Sequence, residues 1–504
     1  MYDPEAIRLL EPHVTNLDDS IYCLRNLPPE VLAVLFAYVS RSPASFRDNL
    51  LKLLRDEELA LQSGTGWDAM TTERTRKFHE QWVIGYGHGS VAEHADLKYA
   101  LEDVSIIASK VIEDHRLAGY TEKSTRYQHF SDDRFYFCDE VSTSASGDES
   151  RQLVSDLYKL YHSALKPIEQ HFRLIMPRGD QSDRAWTNAI HAATLDVIRY
   201  LLPAGTMTAL GISINAREAA YAVSRFLSHP LAEIRDIGNR MLEEGVKIAP
   251  TLLKYARQNE FRVERERLLS EEVGRQPEPS GATGSGVTLL DHDPEGEDRV
   301  LAGLLYEQGQ HSFEQQLQQV KEMSADHKEK LMASVMTRRG AHDQPSRAFE
   351  MTGYTMEMLL DYGAFRDVQR HRIATQLNPL PTVLHGYETP PEFATVGLTE
   401  QYHALMKRAA TLYHKLATEF PNQATYYLPL AFRKRVLFRW NLRELFHFVE
   451  LRSAPQGHQS YRLIAQQVYH AVAEVHPLLA RFIRVDLNDY TLGRLDEESR
   501  GEQE

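Results

Sequence analysis

Guanidinium groups stand at corresponding places in two halves of this chain. Arg370-His371-Arg372 in the second half answers Asp114-His115-Arg116 in the first. Planar arginine forks are the usual device for gripping phosphate and carbonyl oxygens, so the recurrence points to recognition of such groups. Taken singly, Arg370, His371 and Arg372 read as a cationic helix terminus paired with the dipole, and Arg443 and Arg452 as helix-surface charges. Other chemistries find less support. The chain has no Gly-x-x-x-x-Gly-Lys-Ser/Thr loop and no His-Glu-x-x-His. Gly85-Tyr-Gly87-His-Gly89 lacks a third glycine and reads as a turn. His88, Glu93, His94 and His115 are conceivable metal ligands, but His88 and His94, six apart, do not share a helix face, and no metal site is expected. Cys23 and Cys138 have no His or Arg beside them to make a thiolate. Ser124 has no visible base, so phosphate binding is the better reading of it.

The elements that must position these groups occur twice, because the chain contains the same order of landmarks twice. Val31-Leu-Ala33 with Ser45-Phe46 matches Val300-Leu-Ala302 with Ser312-Phe313. Pro203 lies twelve residues before Asn215-Ala-Arg217, and Pro429 twelve before Asn441-Leu-Arg443. Arg235 precedes Pro250-Thr-Leu-Leu253 by fifteen residues, and Arg462 precedes Pro477-Leu-Leu479 by the same fifteen. Leu97, Tyr99 and Leu101 alternate as a strand, followed by a helix with apolar Val104, Ile107, Ala108, Val111 and Ile112 that Ser105 or Asp103 caps. In the second copy Tyr354, Met356 and Met358 alternate and Asp361 is the cap, with the strand phases agreeing only after a one-residue slip. From each Asn onward, two helices are expected around turns near Ser228-His-Pro230 and Ala454-Pro-Gln-Gly457. The first copy carries about thirty extra residues, part of them polar Ser142 to Asp148, read as a surface loop. The expected boundaries are repeat one over 1–262, a flexible Gly/Ser/Pro-rich and acidic linker over 263–298, repeat two over 299–494 and an acidic tail over 495–504.

Composition sets the frame. The 504 residues carry 57 Lys plus Arg against 71 Asp plus Glu, a net charge of −14, so the whole-chain field repels nucleic acid and anionic membranes. Any bound anion is therefore held by a local arginine cluster. Two cysteines suit a reducing cytoplasm. No apolar run approaches a membrane span, and Met1-Tyr-Asp-Pro-Glu5 shows no secretory signal.

Taken in order, His88-Gly-Ser90-Val-Ala-Glu-His94, then Asp114-His-Arg-Leu-Ala-Gly-Tyr-Thr-Glu-Lys-Ser124-Thr-Arg126-Tyr127, then Leu202-Pro203 and Asn215-Ala-Arg217, resemble the flavin-dependent thymidylate synthases. That family's signature is Arg-His-Arg-x-x-Ser-x-Asn-x-x-Ser-x-Arg, preceded by His-x-Ser-x-x-Glu-His. The second copy repeats the resemblance with Arg370-His-Arg-Ile-Ala-Thr375 and Asn441-Leu-Arg-Glu-Leu-Phe-His-Phe-Val-Glu-Leu-Arg452. The departures differ between copies. Copy one has Asp114, Gly119 and Thr121 in place of Arg, Ser and Asn, yet keeps Ser124-x-Arg126-Tyr127 and Arg199. Copy two keeps Arg370-His371-Arg372 but has Leu380, Thr382 and Thr425. The arginine that the family sets on the uracil ring is Arg452 in copy two and Phe226 in copy one.

The resemblance implies an α+β fold, a mainly antiparallel sheet with packed helices in each copy. It also implies reductive methylation of dUMP, with methylenetetrahydrofolate and NADPH as cosubstrates and FAD as cofactor. Since each copy has lost a different half of the set, one composite site per chain is expected. The implied dUMP contacts are Ser124, Arg126, Tyr127, Arg199, Arg370 and Arg452, with Arg452 and Arg370 catalytic. The implied FAD contacts are Ser90, His115, Arg116, Asn215, Arg217, Arg370, His371, Arg372, Asn441 and Arg443. A homodimer acting as a pseudo-tetramer in the cytoplasm goes with this reading. The alternatives are C5 modification of another pyrimidine nucleotide and a non-catalytic nucleotide- or flavin-binding protein.

Overall fold

A computed structural model describes residues 2–39, 42–61, 89–131, 134–277, 281, 286–490 and 493. The glycine turn up to His88 lies outside the described residues. Repeat one opens with helices α1 (Pro4–Leu10), α2 (Pro29–Val39) and α3 (Phe46–Leu61), which share a core of Leu10, Leu35, Leu50 and Leu54. Strand β1 (Asp96–Ser105) follows, then helix α4 (Ile106–Glu113), whose first turn is closed by the Ser105 side chain accepting from the Ala108 N–H. The inward phase of β1 changes from Leu97 to Val104 across Asp103, a non-glycine residue at φ +60°.

Strand β2 (Ala118–Glu122), helix α5 (Gly147–Ile175), helix α6 (Asp183–Ile198) and strand β3 (Met207–Asn215) come next, in a sheet of order β1-β3-β2 with β2 antiparallel to β3. The expected Ser142–Asp148 loop is present only over Thr143–Ser146, a short turn between two helices. It follows the helical turn Asp139–Ser142 and leads into α5, with the Thr143 and Ser144 hydroxyls donating back to the Asp139 and Val141 carbonyls. The extra length of repeat one is largely helix. Helices α7 (Ala216–Leu227) and α8 (Ala232–Ile248) give the expected pair, and α9 (Glu260–Gly274) follows with no buried residue.

In repeat two, β4 (Gly286–His292), lying inside the stretch expected to link the repeats, is a sheet strand. Then come α10 (Gly296–Tyr306), α11 (Phe313–Glu322), α12 (Ala325–Met336), β5 (Gly353–Asp361) and α13 (Tyr362–Val368), which Asp361 caps. After these follow β6 (Thr375–Leu377), α14 (Thr399–Ala417), β7 (Arg433–Asn441), α15 (Leu442–Arg452) and α16 (Gln459–Val475). The antiparallel sheet runs β4-β5-β7-β6. Tyr354, Met356 and Met358 face Trp440, Phe438 and Val436 across β5 and β7, all buried, and each such side chain contributes roughly 1.5–3 kcal/mol. Both repeats are thus α+β.

Two compact units do not follow the repeat boundaries. One comprises Met1–Val104, Leu117–Glu122 and Ala209–Pro277, and the other Ser105–Arg116, Lys123–Thr208 and Glu278–Glu504. The second unit therefore contains the helical middle of repeat one together with repeat two. Inside it the two Leu-Pro landmarks meet as antiparallel mirror halves: Ala204 N–H donates to the Leu428 carbonyl at 2.8 Å and Leu430 N–H to the Leu202 carbonyl at 2.9 Å. This reciprocal pairing is the mark of a two-fold contact between like surfaces.

Candidate functional site

The second unit brings together Arg126, Asp196 and Arg199 of repeat one with Arg366, Asp367, Arg452 and Tyr461 of repeat two. Arg126, on the loop after β2, is buried. Its Nε and Nη2 donate to the two Asp196 carboxylate oxygens at 2.6 and 2.7 Å, its Nη1 to the Tyr461 hydroxyl at 2.7 Å, and its Nη2 also to the Gln456 carbonyl at 3.3 Å. The fork expected to face a phosphate is thus closed on Asp196, a bidentate charge-assisted pair. Arg452, the last residue of α15, and Arg126 each hold their guanidinium 5.5 Å from the Tyr461 ring centre, within cation–π range.

Asp367 is the negative centre of the cluster. Its Oδ1 lies 3.6 Å from Arg452 Nη1 and its Oδ2 3.9 Å from Arg199 Nη1. Burial alone would raise its carboxyl, but Arg126, Arg452, Arg199 and Arg366 outweigh burial and hold it below the ordinary carboxylate range. Arg199 follows α6 and is 1% exposed; its Nε and Nη2 make no hydrogen bond among the described residues. Arg366 donates to the Thr125 hydroxyl at 2.9 Å. His458 lies against Asp196. Burial, with Arg199 beside it, lowers its imidazole to about 3, so it is neutral: Nδ1 accepts from the Ser460 N–H and Nε2 donates to the Asp196 carbonyl. Arg126, Asp196, Tyr200, His458 and Arg433 also line a cavity of about 780 Å³, within the range that takes a drug-sized ligand.

His371 leaves α13 and is buried against Arg452, whose Nε donates to His371 Nε2 at 3.0 Å. Burial, with Arg452, His447 and Arg370 near, pushes the imidazole well below its usual value and keeps it neutral. Arg370 itself is exposed and makes no side-chain hydrogen bond among the described residues. Arg372 is half-buried. Arg116 donates to the Ala374 carbonyl and the Thr375 hydroxyl, while His115 is buried. Arg443 is engaged by the Pro345 carbonyl, Glu350 and Gln344, and Asn441 caps α15. Ser124 accepts from the Arg126 N–H and Tyr127 is exposed.

In the first unit Ser90 is exposed, Asn215 caps α7 and Arg217 pairs with Glu93. Sequence reasoning missed Asp196, Asp367 and Tyr461. Asp196 had a signal, being the one acid of the mostly apolar second half of α6.

These features define two related α+β repeats whose arginines are gathered around an internal acid. The family described as thymidylate synthase complementing protein (Thy1) matches residues 28–251 and again 288–478, and the chain belongs to it. It is 33% identical to a UPF0159 protein of Chlamydia pneumoniae over 98% of this chain and 97% of that one. It is 31% identical to a flavin-dependent thymidylate synthase of Saccharolobus solfataricus over 39% of this chain and 69% of that one. A solved UMP/dUMP methylase, PolB of Streptomyces cacaoi bound with 5-Br dUMP, aligns with 40% of this chain and 96% of its own at 15% identity and a TM-score of 0.33.

Proposed function

We propose that the chain is a flavin-dependent thymidylate synthase-like enzyme that converts dUMP to dTMP with methylenetetrahydrofolate and NADPH, through one composite site per chain. The observation that carries this reading is the convergence of Arg126 from repeat one and Arg452 from repeat two on Tyr461, each in the copy that retains it. Ser124, Arg126, Tyr127 and Arg199 form the phosphate-facing half. Arg452 and Arg370 form the base-facing half, where positive charge stabilises the enolate-like charge that develops as C5 becomes nucleophilic. FAD, when bound, supplies the hydride. The exposed guanidinium of Arg370, with Arg372 beside it, fits the pyrophosphate of such a cofactor. The reading carries a cytoplasmic enzyme that dimerises into a pseudo-tetramer.

One observation favours a second reading, a pyrimidine other than uracil. Asp114, Gly119 and Thr121 stand where the family signature has Arg, Ser and Asn, a change that leaves room for C5 modification of another pyrimidine nucleotide. Purified protein is expected to show a flavin absorption band and to form dTMP from dUMP. Colourless protein that takes up no FAD, or turnover of dCMP in place of dUMP, overturns the first reading.

A further inference from the structure

The neutral His371 sits between the two ends of α15. Arg452 Nε can only donate, so the His371 Nε2 that meets it at 3.0 Å is the acceptor, and the ring proton must be on Nδ1. That Nδ1 is buried and makes no hydrogen bond among the described residues, yet Glu444 Oε1 stands 3.4 Å from it. Glu444 lies in the first turn of α15, its N–H held by the Asn441 cap. Arg443 beside it is taken by Glu350, Gln344 and the Pro345 carbonyl. The other groups around the imidazole are His447, 5.2 Å away ring to ring and lowered by burial, Arg370, and the uncharged Trp440 and Phe448.

We propose that Glu444 is a positioning residue that accepts a hydrogen bond from the Nδ1–H of His371, so fixing the tautomer whose Nε2 holds the Arg452 guanidinium in place. Its importance for the reaction rests on the reading that Arg452 meets the pyrimidine. Burial pushes the Glu444 carboxyl up to about 7, but its carbonyl oxygen accepts in either protonation state, so the device does not depend on charge.

The test combines ¹⁵N-histidine NMR of the full chain, with His371 assigned through H371Q, and dUMP binding by calorimetry. Wild type is expected to show the Nδ1–H tautomer. E444L is expected to lose it and to weaken dUMP about 10-fold, while E444Q, whose amide oxygen accepts the same proton, stays near wild type in both. If E444L does not fold, E444D, which withdraws the carboxylate by one methylene, is expected to change the same two readings. An unchanged tautomer or an unchanged dUMP affinity in the folded variant overturns the proposal. If wild type binds no dUMP while the tautomer responds as expected, the nucleotide reading fails and the His371 tautomer assignment stands.

Discussion

A phosphate that approached Arg126 would meet a fork whose Nε and Nη2 are already given to Asp196, so the two anions compete for one guanidinium. Asp196→Asn keeps the shape and removes the competing charge. It is expected to tighten dUMP several-fold by calorimetry while lowering stability by about 1–3 kcal/mol in denaturant melts. Looser dUMP binding in D196N counts against a phosphate at this fork. Lys434 gives a second prediction at this scale. It faces inward opposite Leu360, with its ammonium 3.8 Å from the Phe365 ring centre. Burial lowers it to about 7, against the smaller opposing pull of Asp114. The folded state therefore releases this proton near pH 7 and the unfolded chain only near 10.5, so stability rises with pH through that window. Lys434→Met should flatten that rise and stabilise the protein at pH 7 by about 1–3 kcal/mol, read from melts at several pH values. Arginines could be singled out in the sequence because they recur between the copies. Their carboxylate partners could not, since which acid meets which arginine is decided by tertiary packing.

The strand-to-helix caps at Ser105 and Asp361 were legible because capping is local chemistry, a side chain closing its own first turn, whereas Asn215 and Asn441, expected as FAD contacts, turn out to cap α7 and α15 in the same way. The elements that were missed were those whose composition argued against them. Strand β4 looked like linker because it sits between glycine-rich and acidic runs, yet its pairing with β5 satisfies its main chain. Asp103 was equally hidden: a left-handed residue inside a strand shows in a sequence only as an alternation that fails to match. Since β-branched side chains tolerate φ near +60° poorly, Asp103→Val should destabilise the protein by about 1–3 kcal/mol. A melt indistinguishable from wild type would mean that β1 resets its register without this residue.

The reciprocal pairing of Leu202-Pro203 with Leu428-Pro429 gives the second unit a local two-fold relation between repeats that have ceased to be equivalent. At the place where Arg126 answers Asp196 on one side, the other copy offers Thr382. Across the relation Asp114 accepts from Asn378 where Arg370 stands in the second copy. Two like halves with unlike residues provide one set of guanidiniums, so calorimetry is expected to give one dUMP per chain. Arg126→Ala and Arg452→Ala should each weaken it about 10- to 100-fold. Because Arg126 and Arg452 of the same chain meet at one Tyr461, mixing the two single-variant proteins should not restore dTMP formation. Single-copy relatives that assembled such a site from separate subunits would complement under the same mixing. Recovery of a substantial fraction of wild-type turnover in the mixture would place the two arginines in sites shared between chains instead.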